Sequence, residues 1–208
     1  MEMGRRRRPG TARTITELRL VGAPPRRRFA DNALLGTALF VFTEVMFFTG
    51  FVSAFSIVES GSPAGAWPPP GQPRLPILHT ALNTLALLLS GVALFIAGRR
   101  FRVARPGAAE RWMAGAVALG AYFVIAQGIE WMGLLRQGLT LTSSQLGSFF
   151  YVIVGTHALH AIVAILFMGS AWLAMHSGRL TRPRLSAVQL FWYFVVLVWP
   201  ILYWKVYL

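Results

Sequence analysis

The stretch from Leu34 to Phe55, LLGTALFVFTEVMFFTGFVSAF, constrains this chain more than any other. It is apolar over a length that crosses a bilayer, and it carries one carboxylate, Glu44, in its middle. At about 1.5 Å of helical rise per residue, Glu44 lies roughly 20 Å from Asp31 along a segment crossing a hydrocarbon core of about 30 Å. A carboxylate at that depth costs about 2.5–3.5 kcal/mol on insertion scales. It must therefore face protein, hold a proton or find a partner. His157 and His160, far along the chain, are the candidate partners; a neutral Glu44 bonded to a neighbouring carbonyl or hydroxyl is the alternative.

Four further apolar stretches follow, and only 13% of the 208 residues are charged, about half the share usual in soluble domains, near 25%. The expected fold is all-α: a polytopic membrane bundle of five transmembrane helices. Helix 1 is predicted over Asn32 to Val58, helix 2 over Ile77 to Gly98 and helix 3 over Trp112 to Leu135. Helix 4 is predicted over Leu146 to His176, long enough to tilt or project, and helix 5 over Ser186 to Tyr207, with a kink at Pro200. Between helices 1 and 2, Glu59 to Pro76 is too rich in Pro and Gly for regular helix. The arginine-rich stretch from Arg99 to Arg111 reads as a loop, with Pro106 and Gly107 as breakers.

The net charge of +13 comes from arginines placed in blocks between the apolar runs, which argues against a nucleic-acid partner. Residues 1–28, with nine arginines, form a basic arm suited to anionic headgroups, and residues 29–208 form the membrane domain. If the spans alternate, 17 of the 20 basic residues fall on one side and only Arg74, Arg136 and Lys205 on the other. The positive-inside rule then predicts a cytoplasmic N-terminus and an external C-terminus.

Glu44, Glu130, His157 and His160 are the ionisable groups expected inside the bilayer, with Gln127 one turn from Glu130 on helix 3. His157 and His160 share a face of helix 4 but lack the Glu-x-x-His partners that build a metal site in a bundle, since position 133 is Gly. No metal site is expected. His157 lies roughly 18 Å from the outer end of its helix and so reaches the depth of Glu44. Glu130, about 9 Å from Arg136 along its helix, is expected to meet that arginine or water. Gly36, Gly50, Gly115, Gly120 and Gly155 are expected to permit close packing. Polar adhesion between helices accounts for all four ionisable groups without transport or catalysis.

Four segments, in this order, resemble subunit III of the haem–copper terminal oxidases. LFVFTEVMFFTGFVSAF (Leu39 to Phe55) is similar to that family's helix with a buried glutamate, and LPILHTALNTLALLLSG (Leu75 to Gly91) to the helix after it. QGIEW (Gln127 to Trp131) and GSFFYVIVGTHALHAIV (Gly147 to Val163) resemble its Gln-x-x-Glu-aromatic and Gly-x-His-x-x-His signatures. The resemblance covers about Asn32 to Leu208 and implies a non-redox subunit of a proton-pumping oxidase in aerobic respiration. It would bind membrane phospholipid and dock on catalytic subunit I, and on subunit II, in a bacterial cytoplasmic membrane. Haem and copper would belong to those partners; four histidines and no cysteine cannot furnish two haem sites and a copper site. Where many members read Trp-His-Phe-Val-Asp, this chain has Trp192, Tyr193, Phe194, Val195 and Val196, which predicts a last helix without its usual polar contacts. A quinol-oxidase or nitric-oxide-reductase partner, or a small proton-coupled transporter using Glu44 and His157, remain the alternatives.

Overall fold

A computed structural model describes residues 29–63, 67–69, 71, 73 and 75–208; the basic arm of residues 1–28 and Arg74 lie outside the described residues. Five helices follow one another: α1 (Phe29–Ser60), α2 (Ile77–Arg102), α3 (Pro106–Arg136), α4 (Gln145–His176) and α5 (Arg182–Tyr207). All five are long and apolar enough to cross a membrane. No strand occurs among the described residues.

The helix ends differ from expectation, and the reason is proline. Pro106 was expected to break the chain but opens α3, which starts six residues before Trp112, while α2 runs on past Gly98 to Arg102. A proline in the first helical turn gives up only an N–H that has no partner there anyway, and its fixed φ suits the helix. Pro183 does the same in α5, which starts at Arg182 instead of Ser186. α1 extends beyond its expected limits at both ends, and α4 gains Gln145 through Ser144, whose hydroxyl accepts from the Gly147 N–H at 3.0 Å. α5 runs through Pro200 without breaking.

Three helices end in the same way. Arg105 N–H reaches back to Arg100 O, Leu139 N–H to Leu134 O and Arg179 N–H to Ala174 O, each across a left-handed residue. Those residues are Ala104 (φ 55°), Gly138 (φ 89°) and Gly178 (φ 69°). Glycine adopts this conformation without a Cβ penalty, and Ala104 is the exception.

α5 is the central helix: 56% of its most apolar stretch is buried, against 11% of α1's. It packs on α1, α2 and α4; α2 pairs extensively with α3, and α3 with α4. α1 touches α5 and, more briefly, α4, and makes no contact with α2 or α3 among the described residues. Trp192, Trp199, Phe123, Phe150 and Met113 are among the large side chains buried in the interior. In lipid, where neighbouring chains are as apolar as the core, close packing and interhelical hydrogen bonds hold such helices together. Trp192 donates to Ser90 Oγ (3.1 Å) and Trp199 to Thr84 Oγ1 (2.8 Å), both from α5 to α2.

Glycine packing is partly as expected. Gly120 lies against the Trp192 ring, so a Cβ there would come within 2.8 Å of it. Gly155 stands at ordinary distance from Trp131, and Gly36, Gly50 and Gly115 face open space, so these three do not set the helix spacing. Gly91 and Gly98 do: a Cβ on the first would press on Val196 at 3.2 Å, and on the second it would overlap the Gln189 amide. In place of the usual histidine and aspartate contacts, α5 makes others of its own. Val196 fills the space over Gly91, while Gln189 donates to the Tyr193 hydroxyl at 3.2 Å and to Leu94 O at 3.3 Å.

Candidate functional site

Of the two candidate partners for Glu44, the fold selects His160. Its Nε2 lies 3.1 Å from Glu44 Oε2, with the two side chains 12% and 18% exposed. Its other ring nitrogen, Nδ1, is 2.8 Å from Thr156 O. A carbonyl oxygen only accepts, so Nδ1 carries a proton and Nε2 is the atom turned to the carboxylate. The contact has an ion-pair distance without hydrogen-bond alignment, since Glu44 Oε2 has no hydrogen-bond partner. Phe48, Phe191 and Phe194 present their edges or faces to the His160 ring at 5.6–6.3 Å between centroids. This polar pair is enclosed by aromatic rings where α1, α4 and α5 meet. It ties α1 to α4.

His157 points elsewhere. It is fully buried, its ring 5.1 Å from that of Trp199, and neither ring nitrogen has a hydrogen-bond partner. Three residues along a helix is about 300° of rotation, so His157 and His160 stand about 60° apart around α4; His157 meets Trp199 of α5, and only His160 reaches Glu44 of α1.

Glu130 does not meet Arg136. Its carboxylate accepts from Thr80 Oγ1 (2.9 Å), Asn83 Nδ2 (3.0 Å) and Gln127 Nε2 (3.2 Å), and Gln127 Nε2 also donates to the Tyr207 hydroxyl (3.0 Å). Neutral donors from α2 and α3 thus supply the partners of the Glu130 carboxyl group. Sequence reasoning missed Thr80, Asn83 and Tyr207. The signal for the first two was present: Thr80, Asn83, Thr84, Leu87, Ser90 and Gly91 recur at three- and four-residue steps, and all are buried, while Leu78, Leu82, Leu85 and Leu89 form the exposed face. Among the described residues, no group of three or more His, Asp or Glu side chains is placed to hold a metal ion.

A groove of about 590 Å³ opens between α1, α4 and α5. Gly36, Phe40, Phe167 and Phe191 line its apolar length, and Arg184 stands within it, donating to Ser170 O (3.3 Å) and Oγ (3.2 Å). Glu110 and His176, 2.7 Å apart, join the first turns of α3 to the last turn of α4 at the same end as Arg184. Arg102 and Gln189, 3.3 Å apart, join the end of α2 to α5 there. The start of α1, the α2–α3 turn and the α4–α5 turn therefore share one end of the bundle. Lys205 and Glu59 pair at the other.

The sequence matches the family described as cytochrome c oxidase subunit III over residues 26–208. It is 31% identical to the cytochrome c oxidase subunit 3 of Synechocystis over 182 residues, covering 86% of this chain and 76% of the relative. The proteins of the same name from Hippopotamus amphibius and Sus scrofa are each 32% identical over 179 residues, covering 83% of this chain and 67% of theirs.

Proposed function

The chain belongs to the cytochrome c oxidase subunit III family and is a multi-pass membrane subunit of a haem–copper oxidase; from that premise we propose that it has no catalytic centre of its own and serves the catalytic subunit by holding phospholipid and sustaining its assembly and proton supply. The groove beside Arg184 carries this reading. Its apolar length suits acyl chains, and a guanidinium at its end suits a phosphate, which it can bind through two parallel hydrogen bonds. Replacing Arg184 by Gln should lower the phospholipid that stays bound when the oxidase is purified in detergent, with haem content unchanged. Phosphorus analysis showing the same lipid content in variant and parent would refute the assignment.

The cytoplasmic face is assigned to the end of the bundle that gathers the α2–α3 and α4–α5 turns. Eight arginines belong to it: Arg99, Arg100, Arg102, Arg105, Arg111, Arg179, Arg182 and Arg184, all exposed. The arm of residues 1–28 would add to that charge and, like it, meet anionic lipid of a bacterial cytoplasmic membrane. Reporter fusions after Arg105 and Arg184 should read cytoplasmic and a fusion after Gly71 external; one inverted reading would break the topology. The docking partners in this reading are catalytic subunit I and subunit II. The relatives reported above are all cytochrome c oxidase subunits, which favours that partner over a quinol oxidase, a nitric-oxide reductase or a free-standing transporter.

A further inference from the structure

The donors to Glu130 leave three hydrogen-bonding groups open beside it. Gln127 is 4% exposed, and its amide nitrogen is committed to Glu130 Oε2 and to the Tyr207 hydroxyl. With Glu130 ionised that orientation is fixed, because the amide turned over would set oxygen against oxygen. Gln127 Oε1 is thereby held in the interior with no donor. One turn further along α3, the buried indole N–H of Trp131 has no acceptor. The Tyr207 hydroxyl, on a residue 6% exposed, already accepts from Gln127, and among the described residues its own proton has no acceptor. Trp131 and the Thr80 hydroxyl border that same hydroxyl without reaching hydrogen-bond geometry.

Two donors and one acceptor thus stand open between α3 and the last turn of α5, next to a carboxylate. A cation would be turned away by the indole N–H and the phenol O–H. An anion would be turned away by Glu130 and by Gln127 Oε1. Water, which accepts two hydrogen bonds and donates two, matches the set, and buried polar groups left open by protein are commonly closed by such a molecule. We propose that the polar cluster between α2, α3 and α5 is a binding site for an internal water molecule, which accepts from Trp131 Nε1 and the Tyr207 hydroxyl and donates to Gln127 Oε1. The water joins the end of α5 to the amide that orients Glu130, and it makes the Gln-x-x-Glu-Trp run of α3 a single hydrogen-bonded unit.

The test is a structure of the assembled oxidase at a resolution that shows ordered water. Density is expected about 2.7–3.2 Å from each of the three atoms. A rotated side chain meeting those atoms directly would overturn the proposal. So would density ringed only by oxygens at the shorter distances of a metal ion, about 2.0–2.6 Å. In a Trp131→Phe, Tyr207→Phe double variant the water keeps only Gln127 of its three partners, and its density should be lost; density as strong as in the parent would show that these donors do not hold it. If that variant does not assemble, the parent density alone decides.

Discussion

Oxidase assembled without this chain is expected to start turnover at close to its normal rate and then lose activity several-fold faster than the complete complex, with rates that fall more steeply as pH rises. The groove between α1, α4 and α5 holds lipid against the flank of the complex in the reading given above, and the packed bundle keeps detergent and disorder from that flank. Removing both exposes the catalytic subunit to slow damage without touching its haem or copper. The pH effect follows from proton supply. In that same reading, the eight arginines of the end assigned to the cytoplasm, with the anionic lipid they would gather, set the local potential at that surface. Without them, delivery becomes limiting first where protons are scarce, at high pH. Progress curves of oxygen consumption across pH, with haem spectra recorded before and after, measure both effects. Immediate and complete loss of activity with intact haem would contradict the prediction, as would an unchanged decay rate and pH profile.

The second large effect is expected at Glu44. Glu44→Leu should strand His160 Nε2 in the interior and cost about 1–3 kcal/mol, visible as a lower share of the chain retained in the complex after detergent extraction. Glu44→Gln should be tolerated. Because Nδ1 of His160 already donates to Thr156 O, Nε2 of the neutral ring accepts, and a glutamine amide 3.1 Å away can donate to it. The contrast between the two variants is the diagnostic quantity. If both assemble equally well, the Glu44–His160 contact contributes nothing to holding α1.

Much of this arrangement could be read in the sequence because lipid imposes a simple rule: a backbone crossing hydrocarbon must satisfy its own hydrogen bonds, and an unbroken apolar run of about 20 residues does so as helix. Five apolar runs therefore gave five helices. Their ends were harder, since Pro106 and Pro183 break a helix from inside but start one from its first turn. The depth of Glu44 called for a partner, and the fold sets His160 beside it. His157 and His160 lie at nearly the same depth, so depth could not choose between them; rotation about α4 did, and rotation depends on which neighbour each face meets. The Arg136 alternative for Glu130 failed for a related reason. Arg136 was near in sequence, whereas Thr80 and Asn83 came close only through the pairing of α2 with α3.

The isolation of α1 from α2 and α3 has a consequence for how the protein is made. Its polar ties span long stretches of chain: Glu59 pairs with Lys205, 146 residues later. At a synthesis rate of about 5–20 residues per second, that interval is roughly 7–30 s. Until α4 is made, α1 sits in the bilayer without a partner helix from this chain, because α2 and α3 pack on each other and not on it. Glu44 thus enters the membrane before its histidine has been translated. For that interval the apolar length around the carboxylate must hold the span in place unaided, and closure of the bundle waits for α5.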